Sequence, residues 1–91
     1  MDAAPRLVRS IRPEYPAAAR SRRMTGAVTV RFLGDEEGRV GEAAVLAADP
    51  PGVFEASVLA AVRRWRFEPG QRGGAPVPTW VVLPVRFDLE P

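Results

Sequence analysis

Few residues of this 91-residue chain could carry out chemistry, and the residue types that are missing narrow the choice first. The sequence contains no histidine and no cysteine. Their absence removes the commonest general base, the commonest metal ligand and every thiolate nucleophile. Three serines are present, Ser10, Ser21 and Ser57, but a serine hydroxyl is a weak nucleophile without an adjacent base. We therefore predict no catalytic residues and a protein that is not an enzyme.

A run of three acids is the sequence's best candidate for a metal site. Asp35, Glu36 and Glu37 stand in a turn that glycines bound on both sides. Carboxylates bind calcium in proteins, but the ligand spacing of a calcium-binding loop is absent here. A solvated turn accounts for these acids, so we predict neither a metal nor any other cofactor.

Two features could in principle bind phosphate groups. Glycines 70, 73 and 74 lie in a segment that has neither the lysine nor the following helix of a phosphate-binding loop. All thirteen basic residues are arginines, and eleven acids leave a net charge of +2. A nucleic-acid interface needs a contiguous basic face or stacking aromatic residues. Arginines dispersed over two predicted helices indicate solvated helix surfaces instead, and we predict no nucleic-acid partner.

Two predicted helices carry some of the serines and arginines considered above. Pro16 suits a first helical position, and the alanines and arginine that follow favour a short helix over residues 16–23. Apolar residues then recur at helical spacing over residues 53–65, at Phe54, Val58, Val62 and Trp65. This stripe predicts a second helix with one face on the core. Residues 68–76 are predicted to form a loop.

Three predicted strands alternate apolar and polar residues. The first runs through Val28, Val30 and Phe32 and forms a hairpin with a weaker second strand, which the acidic turn precedes. The last covers residues 77–89, with these side chains on one face: Val81, Leu83, Val85, Phe87 and Leu89. A returning helix sends the last strand parallel to the second, so an antiparallel sheet requires the order 2-1-3.

The predicted fold is therefore α+β. Two helices pack on one face of a three-stranded antiparallel sheet, and the last strand lies at an edge. Residues 1–7 are expected to form a flexible lead-in, and residues 8–91 a single domain.

Pro84 makes that edge informative. If Val81, Leu83 and Val85 bond the neighbouring strand, Pro84 directs its missing N–H toward the open side, where proline is tolerated. Such a proline can protect an edge from aggregation. In a second interpretation the edge is a docking site, because the outward main-chain groups of Trp80, Val82, Arg86 and Asp88 could pair with an added strand.

The chain also resembles a known family. Its segments PEYPAAARSRRMTGAVTVRF, DEEGRV, FEASVLAAVRRWRFEPG and PVRFDL occur in that order. Together, over residues 8 to 89, they are similar to the C-terminal domain of TonB. Each segment alone is weak evidence for this family, but all of them in this order are specific for it.

The resemblance implies a periplasmic adapter of Gram-negative bacteria, anchored to the inner membrane in the full-length protein by a region absent from this chain. Such an adapter captures the TonB box of outer-membrane TonB-dependent receptors by β-strand addition. It transmits energy from the proton-driven ExbB–ExbD motor for active uptake of siderophores and other nutrients. Carried over by position, the implied partner-binding residues are Trp80, Val82, Pro84, Arg86 and Asp88 on the edge, flanked by Arg12, Pro13, Glu14 and Tyr15.

Two alternatives stay open at this point. A TonB-like or TolA-like domain could serve another envelope-spanning machine, in secretion or motility. A structural domain could instead form a homodimer through its edge strand. The direction of an added strand, the identity of the receptor, and whether the chain is an excised domain or a stand-alone protein are also open.

Overall fold

The computed structural model describes residues 3–89, within which helices and strands are interspersed. In chain order the elements are β1 (Arg6–Arg9), α1 (Ala17–Ser21), β2 (Gly26–Gly34), β3 (Val40–Asp49), α2 (Glu55–Val62), β4 (Arg66–Glu68), β5 (Gly70–Arg72), β6 (Ala75–Val77) and β7 (Thr79–Phe87). The predicted α+β class is confirmed. The prediction of three strands was incomplete, because within residues 3–89 four short strands accompany the three long ones.

The three long strands form a central antiparallel sheet in the order β3-β2-β7. The ladder between β2 and β7 runs in one register from Gly26 opposite Phe87 to Gly34 opposite Thr79. The ladder between β2 and β3 shifts register twice. β7 pairs with β2 alone among the elements of residues 3–89, so it is an edge strand there.

One face of the central sheet forms the floor of the core. Val28, Val30 and Phe32 of β2 are buried, and alternate residues of β7 are more covered than their neighbours. Both strands therefore show the predicted period of two. Phe87 at the end of β7 is also buried, at 4% exposure.

Helix α2 packs on this face. Phe54, Val58 and Val62 of the predicted apolar stripe have no exposed surface, and Trp65 retains 6%. The helix itself is shorter than predicted and ends at Val62. Residues 63–64 form a turn, which the Trp65 N–H closes by donating to the carbonyl oxygen of Val62 at 3.0 Å. The stripe is thus correctly assigned to the core, although its last member lies outside the helix.

Aromatic side chains fill two ends of the core. At one end Phe54 stacks on Phe87 with ring centroids 4.3 Å apart, and Tyr15 meets both rings edge-on. At the other end Phe32 contacts Trp65 edge-on at 6.3 Å. Stacked and edge-to-face arrangements are those that aromatic quadrupoles favour.

Helix α1 is also shorter than the predicted residues 16–23. Pro16 precedes the helix, and Arg23 has a left-handed φ of 54° that ends it. The Met24 N–H donates to the Ala19 carbonyl at 2.8 Å, and the Arg23 N–H to the Arg20 carbonyl at 3.0 Å. These two bonds are the Schellman closure of a helix, with an arginine where glycine is usual.

The short strands correct two sequence predictions. Residues 68–76 are not a loop, since β5 and β6 pair as a hairpin around Gly73 and Gly74, both with positive φ. β1 and β4 form a separate two-stranded sheet. Residues 6 and 7 of the predicted lead-in therefore belong to a strand, while residues 1, 2, 90 and 91 lie outside the described residues. The division at residue 8 stays a prediction.

Candidate partner-binding edge and cleft

No strand of residues 3–89 pairs with the outer flank of β7. Thr29 lies opposite Pro84 in an uninterrupted ladder. Because Pro84 has no N–H to donate, an unbroken ladder is most simply explained if its main chain faces away from β2. The main-chain groups of Trp80, Val82 and Arg86 then share that outward direction, since alternate residues of a strand address the same edge.

The side chains of the same residues lie on the face of the sheet opposite the core. Trp80 is 50% exposed and Val82 57% exposed. The Arg31 guanidinium of β2 lies over the Trp80 ring, 4.9 Å from its centroid, a distance at which a cation is attracted to an aromatic face. This contact holds a large apolar side chain beside an edge that no strand of residues 3–89 covers.

A loop before α1 is fixed beside the far end of β7. The Trp65 Nε1–H donates to the Ile11 carbonyl at 2.9 Å, and the Ser57 hydroxyl donates to the Glu14 carbonyl. The Tyr15 hydroxyl donates to the Met24 carbonyl, and the Arg20 guanidinium lies 4.9 Å from the Tyr15 ring centroid. Three hydrogen bonds thus tie residues 11–15 to α2, to the residue Trp65 beyond its end, and to the segment that follows α1.

A cleft of about 730 Å³ opens between this loop, α1 and the end of β7. Its lining residues are Arg12, Pro13, Glu14, Tyr15, Arg20, Arg23, Arg86, Phe87, Asp88 and Leu89. The Arg86 Nε and the Asp88 Oδ2 lie 3.5 Å apart, and both side chains are well exposed. Within residues 3–89 no ion pair engages Arg12, Arg20 or Arg23. The cleft therefore carries a surplus of positive charge.

The structure brings most of the predicted site residues together. Residues 12–15 and the pair Arg86 and Asp88 meet in the cleft, although they are more than seventy positions apart in sequence. Trp80, Val82 and Pro84 lie outside it, farther along β7. The strand ends at Phe87 rather than at residue 89, so Asp88 lies just beyond it.

Four lining residues of the cleft are outside the predicted site: Phe87 and Leu89, expected on the core face of the last strand, and two arginines. Arg20 and Arg23 were assigned to a solvated helix surface; both are exposed, and both also line the cleft. The Arg20 guanidinium lies over the Tyr15 ring, but a separation of five residues is not one that brings helical side chains together, so the sequence does not indicate this contact. The position of Arg23 in the cleft depends on the left-handed backbone at the end of α1. An arginine does not predict that conformation, which usually indicates glycine.

The acidic turn has a structural role of its own. The Asp35 carboxylate accepts hydrogen bonds from the N–H groups of Glu37 at 2.9 Å and Arg39 at 2.8 Å. Such a side-chain bond to the following main chain shapes a turn. In the described part of the chain, no three acidic side chains are grouped so that they could hold a metal ion. No helix there has the length and apolar character needed to cross a membrane.

These elements and this sequence match a family of known proteins. The sequence profile described as the Gram-negative bacterial TonB protein C-terminal matches residues 11–89. The chain belongs to this family, and the resemblance inferred from its segments is confirmed.

Particular relatives include the Protein TonB of Escherichia coli, 44% identical over 69 residues, and the Protein TonB of Klebsiella pneumoniae, 36% identical over 85 residues. These matches cover 76% and 93% of the chain but only 29% and 33% of the relatives. The chain therefore spans about a third of the length of these relatives. The solution NMR structure of the Pseudomonas aeruginosa TonB CTD superposes with a TM-score of 0.83 at 32% identity, covering 99% of this chain and 91% of that one.

Proposed function

We propose that this chain is the partner-capturing domain of a TonB-type energy-transducing adapter in the periplasm. It takes the TonB box of an outer-membrane TonB-dependent receptor as an additional strand on the outer flank of β7. It acts without catalysis. The ExbB–ExbD motor supplies the energy for uptake, and an inner-membrane anchor holds the full-length adapter at the membrane. The observation that carries the proposal is the open flank of β7, with Trp80 and Val82 exposed beside it.

Main-chain pairing explains how one edge could serve several receptors. An added strand bonds to backbone groups, which every sequence possesses, while alternate side chains contribute the specificity. Trp80, Val82 and Arg86 each offer a donor and an acceptor on the outward side, and Pro84 offers an acceptor only. Each net hydrogen bond contributes about 1 kcal/mol. Capture should therefore be modest in affinity and readily reversed.

The cleft extends this site beyond the strand. Residues 12–15 flank the position where an added strand would leave β7, and their main chain is already fixed by hydrogen bonds. A preformed loop avoids the entropic cost of ordering it on binding. The surplus positive charge from Arg12, Arg20 and Arg23 favours receptor segments that carry acidic residues next to the paired stretch.

A titration of the ¹⁵N-labelled chain with a synthetic TonB-box peptide tests the proposal. The backbone amide resonances of Trp80, Val82, Arg86 and Asp88 should shift first, because their N–H groups acquire new partners. Shifts confined to α1 and α2 would contradict strand addition. Peptide-independent shifts of β7 that grow with protein concentration would indicate self-association instead.

Two variants of one residue separate main-chain from side-chain recognition. Val82→Pro removes an outward donor, and it should weaken peptide binding about fivefold if one net hydrogen bond is lost. Val82→Ala keeps the N–H and removes only apolar contact, so it serves as the matched control. Both variants should retain the native amide spectrum elsewhere, since Val82 is exposed. Equal binding by Val82→Pro and the unmodified chain would place the peptide on another surface.

A further inference from the structure

A row of three arginines crosses the small sheet, and none of the three lines the cleft. Arg9 of β1 lies directly opposite Arg66 of β4, and Arg39 pairs with Arg66 from the other side through an isolated bridge. All three residues are exposed. Directly opposed residues of antiparallel strands share one face, with Cβ atoms roughly 5 Å apart. Arg66 also precedes the buried Phe67, so this shared face is the outer one.

The charges of this row have no acidic partner among residues 3–89. Ion pairs there join Arg6 to Glu68 at 2.9 Å and Arg86 to Asp88. Arg66 donates from Nη1 to the Trp65 carbonyl oxygen at 2.9 Å, which leaves its charge uncompensated. Like charges placed directly opposite each other destabilise a sheet. A bound anion would remove that repulsion.

One exposed aliphatic side chain, that of Val8, adjoins the row. β1 contains a bulge in which Leu7 lies opposite Phe67 and Arg9 opposite Arg66, so Val8 is the extra residue. Val8 is 63% exposed, whereas Leu7 shares the inner face with Phe67. Guanidinium groups bind phosphate well because their fork of donors matches its oxygens. Basic residues beside exposed apolar ones are typical of segments that lie at a lipid interface.

We propose that the outer face of β1 and β4 is a docking surface for an anionic phospholipid membrane. Arg9, Arg39 and Arg66 contact lipid phosphates, and Val8 enters the boundary between headgroups and acyl chains. A small free phosphate would account for the arginines alone, whereas a lipid surface also accounts for the exposed Val8. The residues involved are separate from those of the proposed peptide site, so each site can fail without the other.

Co-sedimentation of the full chain with lipid vesicles tests this surface. The chain should bind vesicles of phosphatidylglycerol mixed with phosphatidylcholine and should not bind phosphatidylcholine alone. Each basic residue near an anionic surface contributes about fivefold in partitioning. Arg9→Ser and Arg39→Ser should therefore each weaken binding about fivefold. Arg72→Ser, an exposed position on the β5–β6 hairpin with the same change in charge, should leave binding nearly unchanged.

Three outcomes would overturn the proposal. One is equal binding to vesicles with and without the anionic lipid. Another is a loss with Arg72→Ser as large as that with Arg9→Ser, because the effect would then follow net charge only. The third is binding of inorganic pyrophosphate without any binding of vesicles, which would indicate a small-anion site. Circular dichroism verifies that each variant is folded, and peptide titration of the same variants should be unaffected.

Discussion

Trp65 connects three parts of the molecule through one side chain. Its ring meets Phe32 of β2 edge-on, and its centroid lies 6.5 Å from the ring centroid of Phe67 in β4. Its Nε1–H donates to the Ile11 carbonyl, at the start of the loop that lines the cleft. The sequence placed Trp65 in the core from its helical spacing, and its 6% exposure confirms that. Its hydrogen bond to Ile11 could not be predicted, because it depends on where a distant loop passes.

We predict that Trp65→Ala lowers the free energy of unfolding by about 3–5 kcal/mol, the usual cost of truncating a buried aromatic residue. Trp65→Phe keeps most of the apolar contact and loses the hydrogen bond, so it should cost less. Urea denaturation followed by circular dichroism measures both. An unchanged midpoint for Trp65→Ala would show that the indole does not support the core.

At the scale of elements, Gly38 joins the acidic turn to β4. Its N–H donates to the Asp35 carbonyl at 3.1 Å, and its carbonyl accepts the Phe67 N–H at 2.7 Å. Its φ is 83°, and a Cβ at this position would lie 2.0 Å from the Phe67 carbonyl oxygen. The turn can therefore approach β4 only because residue 38 lacks a side chain.

This approach predicts different effects at two glycines. Gly52 has a similar φ of 81°, but a Cβ there would meet nothing within 4 Å. Gly52→Ala should cost about 1 kcal/mol for the left-handed backbone alone. Gly38→Ala should cost clearly more, because the turn must also move away from β4. Equal losses of unfolding free energy for the two variants would contradict this role of Gly38.

Long elements were predictable, and short ones were not. The apolar periods of β2, β7 and α2 extend over eight or more residues, long enough for a reliable pattern. β1 has four residues, all exposed, so no alternation is visible in it. The β5–β6 hairpin does have a sequence signal, since Gly73-Gly74 suits a two-residue hairpin turn. The cleft required tertiary structure, because it joins residues from opposite ends of the chain.

At the scale of the whole molecule, an open edge brings a risk of self-association. Exposed edge strands pair readily with other chains, and a proline interrupts such pairing. Pro84 leaves a gap in the outward donors of β7 while its side chain stays exposed. The same residue can therefore limit pairing between copies and still permit a short partner strand.

We predict that Pro84→Val increases concentration-dependent dimerisation, because it restores an outward N–H in the middle of the edge. Sedimentation velocity at several protein concentrations measures this change. Thr29→Val, on the opposing strand, provides a control that also adds a β-branched apolar residue to the same face. A Pro84→Val chain that stays as monomeric as the unmodified one would show that the proline does not guard the edge.

The unequal ladders of the central sheet bear on how the domain would respond to tension. β7 adjoins β2 over nine residues in one register, whereas the β3 side contains two irregularities. A load applied along a strand docked on β7 would be shared by parallel rows of bonds and passed to β2 as shear. The part of the sheet that resists shear best would thus be the β2–β7 pair, next to the proposed docked strand. The β2–β3 pair, with its two register shifts, would deform more easily.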